Sequence, residues 1–125
     1  MSYMANSAVR FSENEIFVQD SDLGDWIQAV TVQLRDLIES GEDIEWLLLA
    51  CHEWCDIYEN LPPGLKDIEL DGVLRDGDRT SLFVKLLEAT KNLKPGEGFD
   101  LVVAKRVSLK MLEELFGDLK ISPSK

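Results

Sequence analysis

Two stretches of this sequence carry apolar residues at helical spacing, and only Ser40-Gly41-Glu42-Asp43 separates them. At about 100° per residue, Leu23, Trp26, Ile27, Val30, Leu34, Leu37 and Ile38 share one face of a helix from about Asp22 to Glu39. Asp20-Ser21-Asp22 supplies capping side chains and negative charge at its start. The second helix runs from Ile44 to about Asn60, where Leu61-Pro62-Pro63-Gly64 stops it. A linker that short ends one helix, caps the next and forces the two to pack as antiparallel neighbours.

The other elements are read around this pair. Ala8 to Ser12 and Glu15 to Gln19 alternate in the manner of two short strands about a turn at Glu13-Asn14. Lys66 to Arg75, KDIELDGVLR, predicts a hairpin, since Asp-Gly is the favoured pair for a two-residue turn. A third helix is expected from about Thr80 to Leu93, with Leu82, Leu86, Ala89 and Leu93 aligned and Lys94-Pro95-Gly96 ending it. Val102-Val103 marks Phe99 to Ala104 as a strand. Ser108 then caps a last helix with the stripe Leu109, Leu112, Leu115, Phe116 and Leu119. The expected fold is α+β, a helix-dominated single domain over residues 1–125 with a small antiparallel sheet; the fallback is all-α. Residues 1–7 and 121–125 are read as flexible ends.

At 125 residues, 45% hydrophobic and 30% charged, the chain has the composition of one folded domain. The longest apolar run, Trp46 to Cys51, falls far short of the roughly 20 residues that span a bilayer. MSYMANSAVR has one basic residue and no apolar segment, so it is not read as a signal peptide. A cytoplasmic protein with reduced thiols is expected.

Net charge is −11, and its distribution says more than its size. Sixteen acids between Phe11 and Asp71 face only Arg35 and Lys66, a balance of −14, whereas Gly72 to Lys125 holds eight acids and ten bases. A field of that sign repels nucleic acid and anionic lipid and speeds encounter with basic proteins.

ACHEWCDIYE, residues 50–59, gathers both cysteines and the only histidine. On the helical wheel Cys51 and Cys55 lie within the apolar stripe, His52 at its edge and Glu53 on the far side. A zinc site needs four converging ligands, and this helix aims two thiols at one point. Two cysteines one turn apart point along the helix axis, which argues against a disulfide. His52 is turned away from both sulfurs, so no nucleophile–base pair is expected. The cysteines are read as small core hydrophobes and His52 as a boundary residue.

The same wheel shows a second apolar ridge of Trp46, Ala50 and Ile57, with Leu49 beside it. The favoured reading is that this helix is central and covered all round; the alternative is that the ridge is exposed, flanked by Glu45, Glu53 and Asp56 where a basic partner docks.

DIELDGVLRDGD, residues 67–78, resembles a calcium-binding EF-hand loop over these twelve residues alone. Asp67, Glu69, Asp71 and Asp78 occupy ligand positions 1, 3, 5 and 12, with Gly72 at 6 and Leu74 at 8. The resemblance implies a calcium site, and three departures oppose it. Position 12 is Asp rather than Glu, position 3 is Glu rather than Asp, and Pro62-Pro63-Gly64 stands where the incoming helix belongs. A plain acidic loop is the favoured reading. Asp76 and Asp78 are near enough for acid–base work, but acids are abundant throughout.

Phosphate-loop, dinucleotide, zincin and nucleophile-elbow motifs are missing, and Gly96-Glu97-Gly98 is read as an ordinary loop. Lys105, Arg106 and Lys110 form a modest basic cluster. The leading expectation is therefore a non-enzymatic acidic protein-binding module without a cofactor, an immunity or inhibitor protein in kind, that neutralises a basic protein. That analogy rests on composition alone. The alternative is a small metal- or calcium-dependent protein or enzyme using the 67–78 loop or His52. A homodimer or larger homo-oligomer built on the Trp46 ridge is the third reading.

Overall fold

The structure, a computed structural model, describes residues 5–39, 41, 44–62, 64–90, 93 and 99–117. Several expectations lie outside them: the roles of Ser40, Glu42 and Asp43 between the first helices, Pro63, the Lys94-Pro95-Gly96 stop, the 96–98 loop, Leu119, and the ends at 1–4 and 121–125. Element order is β1 (Asn6–Phe11), β2 (Asn14–Gln19), α1 (Asp20–Glu39), α2 (Glu45–Asn60), β3 (Ile68–Glu69), α3 (Gly77–Ala89) and α4 (Leu101–Glu114). This is a helix-dominated α+β domain.

β1 and β2 form an antiparallel hairpin in which Phe11 pairs with Asn14, so the turn is Ser12-Glu13, one residue earlier than predicted. Ser12 takes the left-handed conformation at φ 58°, and the Asp71 carboxylate holds it by accepting its backbone N–H at 2.8 Å. The apolar triplet Ile16-Phe17-Val18 resolves by alternation: Ile16 and Val18 are buried, Phe17 faces outward. Residues 6 and 7, read as part of a flexible end, are strand. Ser7 is buried, and its hydroxyl donates to Asp20 at 2.7 Å.

The sheet is mixed rather than wholly antiparallel. β3 pairs parallel to β1, with Val9 opposite Ile68, in the order β2-β1-β3. The predicted 66–75 hairpin is not formed. Leu70 donates to the Arg10 carbonyl, and its own carbonyl then accepts from Val73 and Leu74, a helical-type turn that drives Leu74 into the core. Burying Ile68, Leu70 and Leu74 outweighs the local preference of Asp71-Gly72.

α1 is the hub. Its Trp26 ring lies tilted against Trp54 of α2 at 5.6 Å and meets Phe83 of α3 edge-on at 6.2 Å, and its indole N–H donates to Ser108 of α4 at 3.0 Å. α1 and α2 run antiparallel: Gly24 lies under the Tyr58 ring, Trp26 faces Trp54, and Thr31 faces Cys51. The residues predicted to cap α2 lie outside those described. Ile44 stands at the start of α2 with no side-chain cap bond, and is buried.

α3 begins before the expected Thr80, because the Asp76 side chain accepts the Arg79 backbone N–H and caps it. Its buried residues are Phe83, Leu86 and Leu87; of the predicted stripe only Leu86 is buried in α3, and Leu82, Leu86, Ala89 and Leu93 line a groove against α1. The largest correction is at 99–104, predicted as a strand and found as the start of α4. Asp100 caps this helix through the N–H groups of Val102 and Val103, and Ala104, Val107, Ser108 and Met111 bury one face. Tertiary burial overrides the β preference of two valines, and Val102 is left 71% exposed. Ser108, predicted as a cap, is buried mid-helix.

Candidate functional site

α2 has one face in the core, with Leu47, Ala50, Cys51 and Trp54 buried. Cys51 lies 3.2 Å from the Thr31 hydroxyl; burial pushes its thiol up to about 11, away from a nucleophile's range. Cys55 is half-buried and its thiol is raised as well, again chiefly by desolvation. Both are free thiols. His52 is exposed, on the side of α2 turned from the core.

Three acids of the 67–78 segment, Asp67, Glu69 and Asp71, are tied to the β-hairpin. Asp67 accepts the Ala8 backbone N–H at 2.8 Å and Asp71 that of Ser12. Arg10 reaches Glu15 at 2.5 Å and both Asp67 and Glu69 at 3.5 Å. Its guanidinium pKa is raised, first by the Glu15 hydrogen bond. Asp76 caps α3 and Asp78 sits in its first turn. Where an EF-hand loop curls round an ion, this segment commits two of its predicted ligand residues to the hairpin backbone, at Ala8 in β1 and Ser12 in the turn. Among the described residues, no group of three or more His, Cys, Asp or Glu side chains is placed to hold a metal ion.

The predicted partner-binding residues divide. Glu45, Glu53 and Asp56 are exposed on the outer face of α2; Trp46 and Ile57 are half-buried, Ala50 is buried, and Leu49 is 65% exposed. The helix is therefore not covered all round. α2 carries four acids (Glu59 is the other) and no lysine or arginine. Glu45, Glu53, Asp56 and Glu59 make no ion pair with any described residue. Lys66, one of two bases in the acidic half, is spent at the end of α2. It lies over the Tyr58 ring at 4.9 Å and donates to the carbonyls of Tyr58 and Leu61, where a cation complements the helix dipole. Among the described residues, one ion pair, Arg106–Asp22 at 3.0 Å, joins the last third of the chain to the acidic half.

Beside the outer face of α2 runs a groove of about 700 Å³, closed on its far side by the segment leading into α3. Trp46, Leu49, Ala50 and Val73 give it apolar surface, and Glu53 and Asp56 line it from α2. The opposite wall is Arg75 and Arg79, which the sequence reading passed over. Arg79 lies over the Trp46 ring at 4.7 Å and donates to the Val73 carbonyl at 3.2 Å, pinning the two sides together. Two arginines interleaved with the acids of a supposed calcium loop were the available signal. Which way they turn depends on the fold.

Comparison with models of known protein families, with curated proteins and with solved structures found no match.

Proposed function

We propose that this chain is a non-enzymatic binding protein that docks a basic protein on the outer face of α2, neutralising it in the manner of inhibitor and immunity proteins. The observation that carries this reading is the run of exposed carboxylates on α2, which form no ion pair with any described residue, beside exposed Leu49. Asp56 and Glu59 stand near the negative end of the helix dipole, where acids cost local stability. A partner's cations offset that repulsion on binding. The thiol pKa directions and the outward placement of His52 supply no activated nucleophile here. No described helix is long and apolar enough to cross a membrane. We place the protein in the cytoplasm, where Cys51 and Cys55 remain free.

The test is capture. Immobilised protein exposed to extract of its own cells should retain a basic protein that is released as salt rises. Glu53→Gln with Asp56→Asn should slow association roughly tenfold at low salt. Retention of only neutral or acidic proteins, indifferent to salt and to these substitutions, removes the proposal.

A further inference from the structure

The groove beside α2 has a wall of each sign, and that restricts what can lie in it. A uniformly basic segment would satisfy Glu53 and Asp56 while pressing like charge against exposed Arg75. A uniformly acidic one would meet the converse. The groove's α2 side is itself a straight helical ridge. Trp46, Leu49, Glu53 and Asp56 follow one another at spacings of three or four residues, with Ala50 beside Leu49, over roughly 15 Å, the reach of a partner helix of about three turns.

Building on the acidic-face reading, we propose that the groove seats an amphipathic helix of the partner, with an apolar stripe on Trp46 and Leu49. Its lysine or arginine flank lies against Glu53 and Asp56, and its aspartate or glutamate flank against Arg75. Opposite charges on the two flanks also fix the helix's direction, because reversing it exchanges the flanks. Part of the wall opposite α2 is preformed: Arg79 is anchored to Trp46 and to the Val73 carbonyl, so little of its side-chain freedom remains to be lost on binding.

Gly72 offers a way to test this without touching a charge. It lines the groove, is exposed, lies outside the left-handed region, and a Cβ placed there meets nothing within 4 Å. Gly72→Phe therefore adds an aromatic ring at a groove-lining position without a clash at its Cβ.

The probes are two labelled helical peptides of about 14 residues, roughly four turns, with the same leucine stripe. One carries lysine on one flank and glutamate on the other; the second carries lysine on both. Fluorescence anisotropy should show the two-signed peptide binding at least about fivefold more tightly. Arg75→Glu should reverse that order, and Gly72→Phe should weaken the two-signed peptide at least about tenfold, with circular dichroism confirming that both variants fold. If the all-lysine peptide binds the native protein equally well, if Gly72→Phe changes nothing, or if neither peptide binds, the groove is not this seat. Loss of all-lysine binding in Glu53→Gln with Asp56→Asn, alongside indifference to Arg75→Glu and Gly72→Phe, would keep the acidic-face reading and discard the groove. Salt-insensitive capture, by contrast, would discard the acidic face itself.

Discussion

Trp26 is fully buried, and its indole N–H must find an acceptor there. Ser108 Oγ accepts it at 3.0 Å and donates to Thr90 Oγ1 at 3.1 Å; Thr90 in turn meets Gln33 Oε1 at 3.1 Å. Gln33 Nε2 closes the chain on the Leu86 carbonyl at 2.9 Å. Among the described residues no buried side-chain nitrogen or oxygen lacks a partner. Ser108→Ala should therefore cost about 1–3 kcal/mol, more than a typical surface substitution, because it orphans a buried donor. Urea unfolding should show a lower midpoint with unchanged slope.

Cys51 makes a second test. Its folded pKa, about 11, lies above the reference value of 9.0. The contribution is therefore whole below pH 9, and between pH 9 and about 11 the unfolded chain ionises first. Stability should fall across that window by up to about 1.4 kcal/mol per pH unit, and Cys51→Ala, though less stable at neutral pH, should lose that part of the slope. Tyr58, raised chiefly by desolvation and then by Asp20 and Asp25, adds its share above pH 10. A Cys51→Ala variant with the native slope would show that the buried thiol is not responsible.

Where α1 crosses α2, a Cβ on Gly24 would come within 2.6 Å of the Tyr58 ring. Gly24→Ala should cost about 1–3 kcal/mol despite alanine's better helix propensity, since the ring must leave its place. In a Tyr58→Ala background the same change should become stabilising by up to about 1 kcal/mol, which thermal unfolding of the four proteins would show. The helix pair itself was legible because both stripes are long and the linker short, so only one packing buries both faces. Residues 99–104 depart from their local β preference for a tertiary reason. Val102-Val103 favours a strand in isolation, whereas Asp100 and the burial of Ala104, Val107 and Met111 act together only in a helix packed on α1. β3 fails similarly: two residues paired parallel to β1 leave no turn or period to read in advance.

Over the whole molecule the charge is −11, and few of the acids in the first 71 residues are neutralised by ion pairs with described residues. Self-repulsion of this kind weakens with screening, while the ion pairs that salt also weakens are partly exposed and worth little. Sodium chloride should thus raise stability by on the order of 1 kcal/mol between low and near-physiological ionic strength. A rise of a few degrees in Tm would register it. A fall would mean that attraction outweighs repulsion in the native charge distribution.

The candidate site was half visible in advance. Glu45, Glu53 and Asp56 were predicted to flank an apolar ridge because a helical wheel needs only one element's period. Arg75 and Arg79 were not, since their place opposite α2 requires the chain to turn at Leu70 rather than continue as a hairpin. Periodicity, caps and charge order are properties of neighbours in the chain, and they suffice for the helix pair, the first hairpin and the acidity of α2. The parallel β3, the helical start of α4 and the two-signed groove arise from contacts between residues tens of positions apart. Those became favourable once burial of Ile68, Leu70 and Leu74 on one side, and of Val107 and Met111 on the other, outweighed what each segment prefers alone.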